Sequence, residues 1–280
     1  MRFAKYQGIG NDFVMIADPE DRLTLSAELV RGLCDRRFGI GGDGVIRVAP
    51  GAGDTHLFMD YVNSDGSVGE MCGNGIRCLA VFARAQQLVS VDELRVGTRS
   101  GVKIVSIQGD GVRVDMGPPL FAPKDIPVTW DGPHALDAKV ELEDQTLEAA
   151  ILGMGNPHAV LFVDEPNDVP VGSLGSSIEH HAMFPKGANV EFAIVESPTR
   201  VRMRVWERGS GETLACGTGA AAVAVAARLL GGTEEKTTVV LPGGELEVEW
   251  GGSRTDERSV FMTGPAVESF SGEFDIEDYR

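Results

Sequence analysis

The sequence predicts an α+β protein made of two pseudo-symmetric halves, each a curved, mostly antiparallel sheet wrapped around one central helix. Three observations predict it. Short segments recur at a nearly constant offset: Gly8-Ile9-Gly10-Asn11 returns 145 residues later as Gly153-Met154-Gly155-Asn156, and Cys72-Gly73-Asn74-Gly75 returns 144 residues later as Cys216-Gly217-Thr218-Gly219. Each Cys-Gly-x-Gly opens a helix-length run, and the second, Gly217 to Leu230, is apolar on nearly every face, as befits a helix enclosed by sheet. Elsewhere apolar residues alternate with polar ones in short stretches broken by Gly and Asp, the pattern of hairpins, and few βαβ units are visible.

The 280 residues suffice for one large domain or two medium ones, and the repeat favours two. Beyond the cysteines Ala80, Val81, Ala83 and Arg84 match Ala224, Val225, Ala227 and Arg228; Gly42–Val45 match Gly187–Val190 more weakly, and Gly117-Pro118 anticipates Gly264-Pro265. A single offset of this length marks a duplicated domain and not a solenoid. The expected boundaries are an N-terminal half, 1–117, carrying Cys72, a C-terminal half, 118–264, carrying Cys216, and a tail, 265–280, packing back on the N-terminal half.

In chain order, Arg2–Tyr6 and Phe13–Ala17 read as strands. Leu25–Arg36 has helical spacing after a cap at Leu23-Thr24. Gly75–Leu88 is the first of the two clear helices. Val102–Ile107 and Gly111–Asp115 form a hairpin through Gln108-Gly109-Asp110-Gly111. Glu148–Leu152 and Ala159–Val163 repeat the opening strand pair. Gly217–Leu230 is too short to span a bilayer, and Leu246–Trp250 alternates as a strand. His180-His181 read as an exposed polar loop, and Glu273–Asp278 as an acidic tail.

With 42% apolar residues the chain is not disordered, and a formal charge of −17 works against nucleic acid or an anionic membrane as partner. No run reaches 18 apolar residues, and the start, Met1 to Phe13, lacks the apolar core of a signal peptide, so the expectation is a soluble cytoplasmic protein. Four cysteines form no disulfide framework there. No C-x-x-C is present, and Cys72-x5-Cys78 is not a zinc spacing, so no metal is expected. The six lysines lack a Schiff-base setting, so pyridoxal phosphate is not indicated. Gly39 to Gly44 fits G-x-G-x-x-G, yet it follows a helix end, not a strand, and reads as a loop near the site.

The chemistry rests on Cys72 and Cys216. A helix N-terminus offers unpaired N–H groups and about half a positive charge, which favours a thiolate or a bound carboxylate. Two such thiols would face each other if the halves pack head to head. One thiolate could then remove a Cα proton while the other thiol delivers one to the opposite face, inverting a stereocentre.

Lys5-Tyr6-Gln7-Gly8-Ile9-Gly10-Asn11-Asp12-Phe13, Asn63-Ser64-Asp65-Gly66-Ser67, Met71 to Cys78, Gly155-Asn156-Pro157-His158, Glu207-Arg208-Gly209 and Leu214 to Gly219 resemble, in family order over nearly the whole chain, the diaminopimelate epimerases. Proline racemases are similar near the cysteines but usually carry C-G-H-G in the first half, where this chain has C-G-N-G. The resemblance implies the diaminopimelate epimerase-like fold, a homodimer, and interconversion of LL- and meso-2,6-diaminopimelate for lysine and peptidoglycan synthesis without pyridoxal phosphate, metal or nucleotide. It implies Cys72 and Cys216 as the acid–base pair and His158 and Glu207 as residues that tune the thiols. Substrate binding would fall to Asn11, Asn63, Gly73, Asn74, Asn156, Asn189, Glu207, Arg208, Gly217 and Thr218. Arg208 suits a distal carboxylate as a planar fork, and Glu207 an ammonium. One departure stands out: many family members have Gln where this chain has Gly44.

Overall fold

The computed structural model describes residues 1–279; Arg280, the last residue of the expected tail, lies outside the described residues. The chain divides into two units, Met1–Val114 together with the segment from Thr263 onward, and Asp115–Met262.

The first unit opens on β1 (Arg2–Gly8) and β2 (Asn11–Ala17), joined by Ile9-Gly10 at φ 48° and 88°, the two-residue turn whose twist matches a hairpin. Helix α1 (Ala27–Cys34) is shorter than expected. Its cap is Ser26, whose hydroxyl accepts from Leu29 N at 3.2 Å, and Asp35 ends it by accepting from the N–H groups of Arg37 and Phe38. Then follow β3 (Gly44–Pro50), β4 (Leu57–Asn63), α2 (Gly73–Ala85), β5 (Glu93–Thr98), β6 (Gly101–Gln108) and β7 (Gly111–Gly117). Helix α2 starts two residues before the expected Gly75, because the cysteine itself is the cap, and stops at Ala85, where left-handed Gln87 (φ 56°) turns the chain.

The second unit runs β8 (Ala135–Glu141), β9 (Thr146–Gly153), β10 (Pro157–Phe162), α3 (Val171–Glu179), β11 (Asn189–Ser197), β12 (Arg200–Glu207), β13 (Gly211–Thr213), α4 (Gly217–Leu229), β14 (Lys236–Leu241), β15 (Gly244–Glu249) and β16 (Val260–Gly264). The chain then returns to the first unit as β17 (Val267–Glu273), antiparallel to β1.

Each unit by itself has the same order of strand pairings. In the first, β17–β1 and β1–β2 are antiparallel, β2–β3 parallel, β3–β4 antiparallel, β4–β5 parallel and β5–β6 antiparallel. In the second, β8–β9 and β9–β10 are antiparallel, β10–β11 parallel, β11–β12 antiparallel, β12–β14 parallel and β14–β15 antiparallel. The expected fold class, a mostly antiparallel sheet around a central helix in each half, is borne out. Helix α2 packs on β1, β2, β3 and β6, and α4 on β9, β10, β11, β12, β14 and β15. Residues Ala220–Ala227 of α4 are all buried, and their small side chains let strands approach from all sides. A larger residue there would overpack at ~1–3 kcal/mol.

Two surface expectations need correction. Phe274, Ile276 and Tyr279 pack under α1 against a core that includes Leu29, Val30 and Leu33, so the acidic tail is anchored by its apolar residues. His181 is half-buried and accepts from Met183 N at 3.2 Å; only His180 is exposed. Among the described residues no helix is long and apolar enough to cross a membrane.

Candidate active site

Cys72 and Cys216 are the N-cap residues of α2 and α4. Both have extended backbone (φ −133° and −130°), and each Sγ accepts from the N–H three residues on, Gly75 N and Gly219 N, at 3.4 Å. Ser, Thr, Asp or Asn ordinarily fills this position; a cysteine there sets its sulfur against the positive end of the helix. Gly73-Asn74 and Gly217-Thr218 form the first turns, whose N–H groups precede the helical ladder. A side chain at the third helical position would displace its neighbours. A Cβ on Gly75 would stand 2.7 Å from Ile46 Cδ1, and one on Gly219 2.8 Å from Glu191 Oε1. All four cysteines are free thiols.

In the first unit the Cys72 thiol donates to Asn11 Oδ1 at 3.5 Å, and Asn74 Nδ2 donates to the same oxygen at 3.2 Å. The other end of the Asn11 amide donates to Asp43 Oδ2 at 2.6 Å. Asp43 is held by Arg36 at 2.8 Å, and Arg36 also grips Asp12, which pairs with buried Lys5 at 2.7 Å. Burial works to raise the Asp12 carboxyl, but Arg36 and Lys5 together hold it below its ordinary range. The Gly39–Gly44 loop is therefore a clamp that sets the rotamer of Asn11.

Asn63 ends β4, which pairs with β3. Its Oδ1 accepts from Tyr61 Oη at 2.5 Å and its Nδ2 donates to Ser67 Oγ at 3.0 Å. Gly44 is its ladder partner, and a Cβ there would stand 2.6 Å from Tyr61 Cε2 and 2.7 Å from the Val62 carbonyl oxygen. The departure from Gln at this position has a physical reason: the buried Tyr61 ring fills the room.

In the second unit Cys216 is 5% exposed, and Thr218 Oγ1 lies 3.5 Å from its sulfur. Burial, then the carboxylates of Glu207 and Glu191, push its thiol well above its ordinary pKa. Glu207 accepts from Thr213 Oγ1, and its carboxyl too is raised by burial, partly offset by hydrogen bonds from Thr213 and Cys216. His158 is fully buried, with Nε2 2.9 Å from Asn156 Oδ1 and Nδ1 2.6 Å from Glu191 Oε1. Asn189 Oδ1 accepts from Arg208 N at 3.0 Å while its Nδ2 donates to Pro157 O. The exposed Arg208 guanidinium meets Lys186 O at 3.4 Å. Glu179, at the end of α3, accepts from Trp206 Nε1 at 2.7 Å and Gly209 N at 2.8 Å, bracketing Glu207-Arg208.

The first unit thus gathers Asn11, Gly73 and Asn74 at Cys72, with Asn63 beside Tyr61. The second gathers Glu207, Gly217 and Thr218 at Cys216, joins Asn156 to His158, and joins Asn189 to Arg208. Sequence reasoning missed Arg36, Asp43, Tyr61, Glu179 and Glu191. A signal was present for Glu191, a lone carboxylate inside the apolar run Val190 to Val195; Glu179 gave none, since α3 has no clear start in the sequence.

A family model described as diaminopimelate epimerase matches residues 3–122 and 150–268. The chain is 47% identical over 280 residues to a diaminopimelate epimerase of Desulfitobacterium hafniense, covering 97% of each chain. To one of Synechococcus elongatus it is 44% identical over 280 residues, covering 99% of each. Among solved structures, a probable proline racemase from Agrobacterium radiobacter K84 shares the fold, with a TM-score of 0.71 at 14% identity over 98% of this chain and 92% of that one.

Proposed function

Because the chain belongs to the diaminopimelate epimerase family, we propose that it interconverts LL- and meso-2,6-diaminopimelate with Cys72 and Cys216 as the two bases. The observation that carries the reading is the matched pair of N-cap thiols, each on the central helix of a unit with the same ladder order. One thiolate takes the Cα proton as the C–H bond breaks, and the electron pair is delocalised onto the α-carboxylate. The other thiol delivers its own proton to the opposite face and is left as thiolate. In the reverse direction the roles exchange. First-turn N–H groups at Gly73-Asn74 and Gly217-Thr218 stabilise the charge that develops on the carboxylate.

Arg208 takes the distal carboxylate and Glu207 the distal ammonium, with the amides of Asn11, Asn63, Asn156 and Asn189 completing recognition. His158 and Glu207 tune the thiols. The isomerase needs no pyridoxal phosphate, metal or nucleotide, and works in the cytoplasm as a homodimer in lysine synthesis; light scattering on the purified chain tests the dimer. Incubation with LL-diaminopimelate in D2O tests the activity. The meso isomer should form with deuterium at one Cα, and Cys72→Ser and Cys216→Ser should each abolish net epimerisation. No exchange and no meso product would refute the assignment.

A further inference from the structure

The units differ in the core at a position where their frames correspond. Phe13 pairs with Gly44 across the parallel β2–β3 ladder, and His158 pairs with Asn189 across β10–β11. Two residues further along lie Ile46 and Glu191, which a Cβ on Gly75 and on Gly219, respectively, would meet. The buried apolar pair Phe13 and Ile46 of the first unit is therefore replaced in the second by His158 and Glu191, and all four side chains are 0% exposed. Placing an ionisable pair where the fold accepts an apolar one carries a desolvation cost, so the pair calls for a role beyond packing.

The hydrogen-bond valences narrow that role. Asn156 Oδ1 has only lone pairs to offer, so His158 Nε2 carries the hydrogen between them. The 2.6 Å contact between Nδ1 and Glu191 Oε1 is a second hydrogen bond, with one hydrogen between those two atoms as well. Among the described residues Glu191 Oε2 is buried without a hydrogen-bond partner, and the carboxyl's side-chain hydrogen bond is to the imidazole.

We propose that Glu191 is a positioning residue: by occupying His158 Nδ1 it holds the ring in the state that donates Nε2–H to Asn156 Oδ1, turning the Asn156 amide so that its Nδ2 hydrogens face the substrate. This rests on the assignment of Asn156 to substrate binding made above. Without Glu191 and the hydrogen it shares at Nδ1, the ring carries a single hydrogen that either nitrogen can hold, and in the Nδ1–H tautomer the bare Nε2 would accept from Asn156 Nδ2 and reverse the amide. The first unit needs no such device, because the Asn11 amide is already oriented by Asp43.

Histidine labelled with 15N in the ring reports the tautomer without substrate, and His158→Gln assigns the resonance. The wild type should show a protonated Nε2 at His158. Glu191→Gln can still donate to Nδ1 and should keep that tautomer and most of kcat/KM. Glu191→Leu should give mixed tautomers and lose about 10-fold in kcat/KM, mainly through KM, the size of one substrate hydrogen bond lost. A bare Nε2 in the wild type overturns the proposal and needs no variant to fold. So does Glu191→Leu with an unchanged tautomer and KM, or Glu191→Gln as impaired as Glu191→Leu. A protonated Nε2 in wild-type protein that turns over no diaminopimelate would refute the activity, while the positioning geometry would stand.

Discussion

If the Tyr61 ring is what excludes a side chain at position 44, the two positions are energetically coupled, and a double-mutant cycle measures the coupling. Gly44→Ala places a methyl 2.6 Å from Tyr61 Cε2 and 2.7 Å from the Val62 oxygen. That oxygen belongs to the ladder partner strand and cannot rotate away, so overpacking should cost ~1–3 kcal/mol. Tyr61→Leu gives up the edge-to-face contact with Phe13, whose centroid lies 5.9 Å away, and the hydroxyl bond to Asn63. Those losses are worth ~0.5–1.5 kcal/mol each.

With the ring gone, the alanine methyl keeps only the clash with Val62, so the double variant should be more stable than the sum of the single effects by ~1 kcal/mol, within the range for residues in contact. Urea denaturation followed by far-UV circular dichroism, with hydrogen exchange resolved to peptides of the first unit, is the assay. Tryptophan fluorescence would miss the effect, because Trp130, Trp206 and Trp250 all lie in the second unit. Additivity to within ~0.3 kcal/mol would refute the account of Gly44.

Three further outcomes follow from the thiols and their supports. Iodoacetamide near neutral pH should alkylate Cys72 first, leaving the buried Cys34 and Cys78, whose thiols are pushed up to about 12, and Cys216; peptide mass spectrometry reads the order. The folded Cys216 thiol lies well above 9.0 and holds its proton more tightly than the unfolded chain does, so its stabilising contribution is complete below that value and lost as pH rises towards the folded one. The melting temperature of the wild type should therefore fall more steeply than that of Cys216→Ser above about pH 9, and parallel curves would contradict the burial. Glu179→Ala strips the partner from half-buried Trp206 Nε1, at ~1 kcal/mol, and from the exposed Gly209 N, and should raise KM for diaminopimelate more than it lowers kcat in steady-state assays.

Much of this molecule was legible in the sequence because the duplication marks it twice. Cys-Gly-x-Gly before an apolar run located both caps, and the Gly-x-Gly-Asn loops located Asn11 and Asn156. The strands of alternating pattern, such as β7 and β15, were equally plain, since one face meets the core and the other is more open. What escaped depended on long-range contacts. Helix α3 has two glycines in nine residues and no side-chain cap, and it exists because Gly175 lets it lie against Trp206, where a Cβ would come 2.5 Å from the Trp206 Cβ. Glu191 stands out as a lone carboxylate in an apolar run, but its partner His158 lies 33 residues away and only the folded β10–β11 pair brings the two together. The role of Asp43 depends on the loop folding back onto Asn11, for which no periodicity speaks.

The duplicated frame also shows where symmetry is given up. Arg77, four residues after the first helical position of α2, corresponds by the 144-residue offset to Ala221 of α4. It is fully buried, donates to Gly73 O at 3.1 Å and Pro265 O at 3.2 Å, and its charge acts on Cys72 and Cys78. Cys216 instead has the carboxyls of Glu207 and Glu191 as its charged neighbours. An opposite charge favours the ionised form of a group and a like charge disfavours it. A two-thiol epimerase at rest needs one thiolate and one thiol, and two identical environments would leave that single proton shared equally between them. A buried cation beside one thiol and, above all, the Glu207 carboxyl beside the other remove the degeneracy. The alkylation order is thus a test of the asymmetry as much as of exposure. Arg77→Met should narrow the difference in rate between Cys72 and Cys216 by slowing Cys72, and an unchanged ratio would show that access alone separates them.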